Sequence, residues 1–394
     1  MTVSGRRGPG PRKKGAAGRG RSASAHGRHG RSRPARPRKK EPPVDAGGTR
    51  AGTDAAAHKV LGARRLLALR DSGRPVYGAL DLGTNNCRLL LAAPSEHGFE
   101  VVDAFSRIVR LGEGVSRSGR LSEAAQARTL AALRICANKL RWWRVRRARL
   151  IATQACRAAS NGAAFIDRVA EDLGLALEIV DAQTEARLAA SGSCPLIAED
   201  AREVLVFDIG GGSSELMWLR IRGGARQAVD WTSIPAGVVT LAEKYGGARV
   251  SREAYAAMRA HVRPALMEFA RRLREKGAPA LPDHLLGTSG TVTTISGVSL
   301  GLRRYDRSKV DGCWLERSVV EKVSEELRRM PLRERAANGC IGRERADLVV
   351  AGCAILEEIT AIWPASRIRV ADRGLREGIL TELMMEDGTY GRPA

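Results

Sequence analysis

Apolar and polar positions first fall into strand spacing between Val76 and Leu111. The runs Val76–Gly83, Cys87–Ala93 and Phe99–Leu111, separated by short polar turns, predict three consecutive antiparallel strands. A helical period follows over Ser122–Val145, where Ser122 with Glu123 and Gln126 suits the N-terminus. Next come a strand at Arg149–Gln154, a helix at Asn161–Leu173 with Asn161 as its cap, a strand at Leu177–Val180 and a helix at Gln183–Ser191. The order βββαβαβα then begins again. Val204–Ile209, Glu215–Ile221 and Ala228–Ile234 read as strands, Val238–Tyr245 and Ser251–Lys276 as helices. A strand at His284–Gly287 leads to a helix at Thr291–Leu300. Helices at Ser318–Met330 and Arg343–Ile362, a strand at Arg367–Ala371 and a helix at Arg376–Met385 complete the pattern. A helical lead-in over Lys59–Arg70 precedes it. The pattern predicts two α/β domains, 74–190 and 191–373, with the last helix, 374–386, packing back on the first.

The two halves share a motif. Asp81-Leu-Gly-Thr-Asn-Asn-Cys-Arg recurs as Asp208-Ile-Gly-Gly-Gly-Ser-Ser-Glu, each copy after an apolar strand and before another. A strand ending in Asp and turning through Gly or Ser bares successive backbone N–H groups, a nest for anionic oxygen. The strand-end carboxylates suit Mg²⁺ held through water. Two such loops facing across a cleft would grip a phosphate chain from both sides. Gly287-Thr-Ser-Gly-Thr-Val-Thr, between a strand and a helix, adds a third loop at a helix N-terminus. The chain lacks G-x-x-x-x-G-K-[ST], G-x-S-x-G, H-E-x-x-H and a complete G-x-G-x-x-G, which argues against Walker-type NTPases, serine hydrolases and zincins.

Charge changes the picture at one end. The 394 residues carry 66 Lys and Arg against 43 Asp and Glu, a formal net charge of +23. Residues 1–58 hold 15 of these cations against Glu41, Asp45 and Asp54, and contain no Leu, Ile, Phe, Tyr or Trp. A disordered basic tail is expected there, with two readings open: an arm making non-specific polyanion contacts, or a solvated tail without a partner. Seven scattered cysteines with no C-x-x-C fit reduced thiols and a cytoplasmic setting. No apolar run is long enough for a membrane span, so no membrane partner is expected.

Seven segments together resemble the exopolyphosphatase/guanosine pentaphosphate phosphatase family, within the actin-like, sugar-kinase and Hsp70 fold group. They are ALDLGTNNCRLLLA (79–92), ATQACRAASNGAAFIDRV (152–169), IVDAQTEARLAASG (179–192), VFDIGGGSSELMWL (206–219), IPAGVVTLAEKYG (234–246), LLGTSGTVTTISGV (285–298) and VADRGLREGIL (370–380). The resemblance implies two ribonuclease-H-like (actin-like ATPase) domains with a cleft between them. It implies Glu185 as general base, Arg157 as a contact to substrate phosphate, and Mg²⁺ as cofactor near Asp81, Asp208 and Glu215. Gly83, Thr84 and Asn85, then Gly210, Gly211, Gly212, Ser213 and Ser214, match two phosphate loops. Gly287, Thr288, Ser289 and Gly290 match the third.

The implied reaction is hydrolysis of a terminal phosphoanhydride in inorganic polyphosphate or guanosine pentaphosphate. Some relatives carry an acid where this chain has Gln154, and a His is common where it has Asp311. Long relatives add a C-terminal helical module, so a short, two-domain form is expected. Three function classes stay open: the phosphohydrolase, a small-molecule kinase of the same fold group, and a non-catalytic polyanion- or alarmone-binding regulator. The choice between the two phosphohydrolase substrates and the oligomeric state, a homodimer included, stay open too.

Overall fold

The computed structural model describes residues 67, 68 and 70–391. The expected basic tail and most of the lead-in helix lie outside these residues. Two sheets organise the rest. The first has the order β3-β2-β1-β4-β5, built from Tyr77–Leu82 (β1), Asn86–Ser95 (β2), Gly98–Ile108 (β3), Arg147–Ala152 (β4) and Leu177–Ile179 (β5). β1 pairs antiparallel with β2 and parallel with β4.

The second sheet repeats this order and adds one edge strand. Its strands are Glu203–Ile209 (β6), Ser214–Arg222 (β7), Ala225–Ile234 (β8), His284–Thr288 (β9), Trp314–Glu316 (β10) and Arg367–Ala371 (β11), ordered β10-β11-β9-β6-β7-β8. β6 pairs antiparallel with β7 and parallel with β9, as β1 does with its neighbours. The repeated strand pattern thus folds twice into the same ribonuclease-H-like arrangement.

Each sheet is covered on both faces. Leu80, Leu82, Leu89 and Leu91 face the helices Glu123–Trp142 and Gly162–Leu173 through Leu133, Cys136, Phe165 and Val169. Leu205, Phe207 and Trp218 of the second sheet face the helices Arg252–Glu275 and Val349–Ile362. Between the sheets lie two further helices, Ala182–Ser193 and Leu375–Glu386. Leu188 and Ala189 pack toward Tyr77, Ala79 and Ile151 of the first sheet. Ala186 and Ala190, one turn away, pack toward Val204, Val206 and Met217 of the second. Residue 190 therefore lies inside a helix shared by both sheets. Leu375, Ile379, Leu380 and Leu383 of the last helix also join the core on the first sheet. These two helices cross at glycines: a Cβ on Gly192 would sit 1.9 Å from the Gly374 carbonyl oxygen, and one on Gly378 2.1 Å from that of Leu188.

Several local expectations shift. The helix expected from Arg343 begins at Val349, because residues 338–348 form turns tied by Gly342 N–H to Asn338 O at 2.9 Å and Leu348 N–H to Arg345 O at 2.9 Å. The strand expected at Arg149–Gln154 is Arg147–Ala152, and Gln154 opens a short helix, Gln154–Ala158. Asn161 precedes its helix but does not cap it with its side chain. Its amide instead accepts from Leu121 N–H at 2.8 Å and donates to Leu121 O at 3.0 Å, standing in for a strand partner. The three-residue β10 and the helix Leu332–Ala337 were not anticipated. Both are too short for a periodic signal.

Candidate active site

The repeated turns close alike. Gly83 N–H donates to Asn86 O, and Gly210 N–H to Ser213 O, both at 2.9 Å. The N–H groups of Thr84, Asn85, Gly211 and Gly212 make no hydrogen bond among the described residues. The two loops meet. A Cβ on Gly211 would come 2.9 Å from Thr84 Cβ, and one on Gly212 2.6 Å from Thr84 Oγ1, so only glycine permits this approach. They enclose a cavity of about 140 Å³, walled also by Asp81, Asp208 and Glu185. The buried Oδ1 of Asn85 has no partner there.

The third loop reaches the same cavity through Ser289 and Gly290. Ser289 has φ 106° and ψ 163°, a region normally reserved for glycine. Its strain, of order 1–3 kcal/mol, fits a backbone held in place for function. Across the mouth, Arg110 donates to both carboxylate oxygens of Asp347 at 3.0 and 2.9 Å. Glu243 accepts from Gly114 N–H at 2.8 Å and Ser116 Oγ at 2.7 Å. These bonds tie the two halves together beside the cleft.

Glu185 stands on the first turn of the helix Ala182–Ser193, whose N-cap Asp181 accepts from Thr184 N–H at 2.7 Å. Arg157 fixes its carboxylate: Nη2 donates to Glu185 Oε2 at 3.1 Å, and Nη1 to Val180 O at 2.6 Å. Nε and Nη2 also donate to Gln154 Oε1 at 3.1 and 2.7 Å. Burial, with Glu215 and Asp81 adding their charge, holds Glu185 well above the usual carboxylate range, while Arg157 pulls it down. Once ionised, a carboxylate so raised binds a proton more tightly than a free one does, as a general base requires.

Three more carboxyls are raised. Burial lifts Asp81, against the pull of Arg88 and Arg376. Burial, helped by the Asp81 charge, lifts Asp208 to about 6. Glu215 is raised by burial and by Asp208, and its Oε1 accepts from Ser233 Oγ at 2.8 Å. No three His, Cys, Asp or Glu side chains among the described residues cluster closely enough to hold one ion. Asp81 and Asp208 nevertheless face one cavity as a mutually repelling pair of oxygen donors. That pair fits Mg²⁺, which takes one or two carboxylates and fills its shell with water and substrate phosphates.

The matches to known proteins agree with this geometry. The family model described as "Ppx/GppA phosphatase family" matches residues 90–387. The chain is 32% identical over 301 residues to exopolyphosphatase 2 of Mycobacterium tuberculosis, covering 71% of this chain and 88% of that protein. The chain belongs to the Ppx/GppA phosphatase family. Among solved structures, the Aquifex aeolicus Ppx/GppA family member superposes with TM-score 0.66 at 26% identity, over 79% of this chain and 98% of that one. An exopolyphosphatase from Cytophaga hutchinsonii shares the fold, with TM-score 0.72 at 23% identity, over 81% and 100% of the two chains.

In this Ppx/GppA protein most of the expected site residues converge. Asp81, Gly83, Thr84, Asn85, Glu185, Asp208, Gly210 to Ser213, Ser289 and Gly290 line the cavity. Others stand back from it. Arg157 spends its donors on Glu185, Gln154 and Val180. Ser214 Oγ donates to Ala236 O at 2.8 Å. Gly287 lies within β9, where a Cβ would sit 2.6 Å from Phe207 Cζ. Thr288 lines an adjoining chamber, and Asp311 binds Arg373 and accepts from Asp372 N–H at 2.9 Å. Arg88 and Arg345 were missed, though both line the cavity. Arg88 sits in the repeat opposite Glu215, so aligning the two copies could have found it. Arg345 carried no signal, because its segment read as helix. No described helix is long and apolar enough to cross a membrane.

Proposed function

We propose that this protein hydrolyses the terminal phosphoanhydride of inorganic polyphosphate. The observation that carries this reading is Glu185: a desolvated, raised carboxyl fixed by Arg157 and facing a cavity rimmed by free N–H donors. The matched relative named an exopolyphosphatase supports polyphosphate as the substrate class. Water oxygen attacks the terminal phosphorus, the bridging P–O bond breaks, and Glu185 takes the water proton. Orthophosphate and a chain shorter by one phosphate result. The N–H groups of Thr84, Asn85, Gly211 and Gly212 bind the charge that spreads over the transferring group. Asp81 and Asp208 would hold Mg²⁺, which supplies charge neutralisation on the phosphate oxygens when bound.

Guanosine pentaphosphate presents the same terminal bond on a bulkier leaving group and enters the proposal as a second substrate. The test measures orthophosphate release from both, with Mg²⁺, by the parent and by Glu185→Gln. A positioned base contributes roughly 10²–10⁴-fold, so that loss is expected. A variant within about tenfold of the parent would remove Glu185 from the role.

A further inference from the structure

The two ends of β1 lie in different surroundings. Its last residue, Leu82, leads into the phosphate loop, whereas its first, Tyr77, pairs with Arg147 at the start of β4. Six strand residues at ~3.3 Å each set the two ends roughly 20 Å apart. The turn joining the helix Glu123–Trp142 to β4 therefore lies at the end of the first sheet remote from the cavity.

Two adjacent tryptophans stand there and differ. Trp143 serves the fold: it is 2% exposed, and its Nε1 donates to Asp103 Oδ2 at 2.9 Å. Trp142 keeps 41% of its surface exposed, although Trp143 meets its ring edge-on at 4.8 Å between centroids and Arg70 Cζ stands 5.1 Å from its centroid. Arg141 and Arg144 flank it. Arg144 is exposed and makes no side-chain hydrogen bond or ion pair among the described residues. Arg141 donates to Ala137 O and Asn138 Oδ1, both at 3.2 Å. Asp71 faces Arg144 but is held by Arg70 at 2.8 Å. Both flanking arginines also line a groove of about 510 Å³, whose other walls include Leu140, Val145, Leu150 and Leu175 and no carboxylate.

This surface adjoins the most basic part of the sequence. The described residues begin at Leu67, and Arg70 already lies against Trp142, so the preceding sequence connects to the fold here. Its first 58 residues carry 15 Lys and Arg against three acids, and eleven of those cations are Arg. Arginine binds phosphate through its planar fork and also stacks on bases. An exposed indole adds a face on which one unpaired base can stack. The apolar groove offers a second flat ring a place beside it. Inorganic polyphosphate is equally anionic but has no ring for Trp142 or the groove, and a duplex keeps its bases inside.

We propose that Trp142, Arg141 and Arg144, with the basic N-terminal sequence, form a docking surface for single-stranded nucleic acid. The surface is separate from the catalytic cavity, so the proposal does not depend on the phosphoanhydride reading.

The test titrates labelled single-stranded RNA of about 16 nucleotides, the upper end of a usual single-strand site, onto the full-length parent, Trp142→Ala and Trp142→Phe. Thermal melting checks folding, and orthophosphate release from polyphosphate should be the same for all three. Loss of one stacked base should weaken RNA binding roughly 5–150-fold in Trp142→Ala, and Phe should keep most of it. Binding of inorganic polyphosphate should not change. Joint replacement Arg141→Gln and Arg144→Gln should weaken RNA binding and lower the slope of log K against log salt by about one per arginine. Deleting residues 1–58 should lower that slope further. Should Trp142→Ala not fold, the paired arginine replacement decides in its place. The proposal is overturned if the parent does not bind RNA, or if a folded Trp142→Ala binds it as the parent does. A duplex held as tightly as the single strand, or polyphosphate binding weakened to the same extent by Trp142→Ala, overturns it as well.

Discussion

Arg88 and Glu215 occupy the same place in two copies of one hairpin. Arg88 pairs with Asp81 across β1 and β2, and Glu215 pairs with Asp208 across β6 and β7. The turns between them close through equivalent 2.9 Å hydrogen bonds. Partners in a ladder share a face, so one lobe sets a cation beside its strand-end Asp and the other sets a carboxylate. The Arg88 charge pulls Asp81 down, whereas the Glu215 charge pushes Glu185 up. A duplicated frame thus carries unlike halves: one side disposed to hold anions, the other to tune the base.

That division predicts opposite shifts in the pH profile. Glu185 must be ionised to accept a proton, so activity should rise with pH as it deprotonates, in a limb above the usual Glu value of about 4.3. Arg157 lowers Glu185, and Arg157→Gln should therefore move this limb to higher pH. Glu215 raises it, and Glu215→Gln should move the limb to lower pH. The check is kcat/KM against pH for the three proteins. Shifts in the same direction, or none, would contradict Glu185 as the titrating base.

Much of this frame was legible because period-2 and period-3.6 patterns repeat in the same order in both halves. The D-x-G turns were legible because they recur at matching places in two like strand orders, whereas one alone is a weak signal. Glu185 was a different case: by spacing alone it is a helix carboxylate, and only the resemblance singled it out. The arginines were harder still. Arg376 lies inside the matched segment 370–380 and Arg345 in a turn that reads as helix, and neither takes its place until β9, β11 and the turns before Val349 converge. Charges gathered from distant segments have no local pattern. The role expected of Arg157 illustrates the converse. The resemblance implies it as a contact to substrate phosphate, and in the structure its hydrogen bonds go to Glu185, Gln154 and Val180.

The raised carboxyls predict how stability depends on pH. A carboxyl raised by folding keeps its proton after the unfolded chain has released its own. Stability is therefore lost as pH climbs from the unfolded value near 4 to the folded value, about 6 for Asp208. Once both are ionised, Asp81 and Asp208 repel as anions, and a bound cation offsets the repulsion. Mg²⁺ is expected to raise the melting temperature clearly near pH 8 and hardly near pH 5. Equal increments at both, measured by differential scanning fluorimetry, would argue against ion binding by this pair.

Contact between the two loops predicts a steric rescue. Gly212→Ala places a Cβ 2.6 Å from Thr84 Oγ1 and 2.9 Å from Gln154 Cγ. The loops must part, and displacement of catalytic groups by about an ångström costs on the order of 10²-fold in rate. Thr84→Ala removes the obstructing oxygen, leaving only the flexible Gln154 side chain in the way. The double variant is expected to recover activity relative to Gly212→Ala alone in steady-state phosphate release. No recovery would mean that the glycine serves its own backbone conformation, not the approach of the loops.

The crossing of the two central helices predicts a coupled loss of stability. Gly378→Ala brings a Cβ to 2.1 Å from Leu188 O, and Gly192→Ala to 1.9 Å from Gly374 O. Both obstacles are backbone, so neither can swing aside, and the helices Ala182–Ser193 and Leu375–Glu386 must move apart. Those helices fill the space between the sheets, with Leu188 and Ala189 on one side and Ala186 and Ala190 on the other. Overpacking of this kind costs about 1–3 kcal/mol or more, and each variant should melt several degrees lower. Once one substitution has separated the helices, the second meets less resistance. The double variant should therefore lose clearly less than the sum of the single losses, by a coupling of about 0.5–3 kcal/mol in denaturant titrations. Strict additivity would show that the two glycines relieve separate contacts and that the helices do not move as one packed pair.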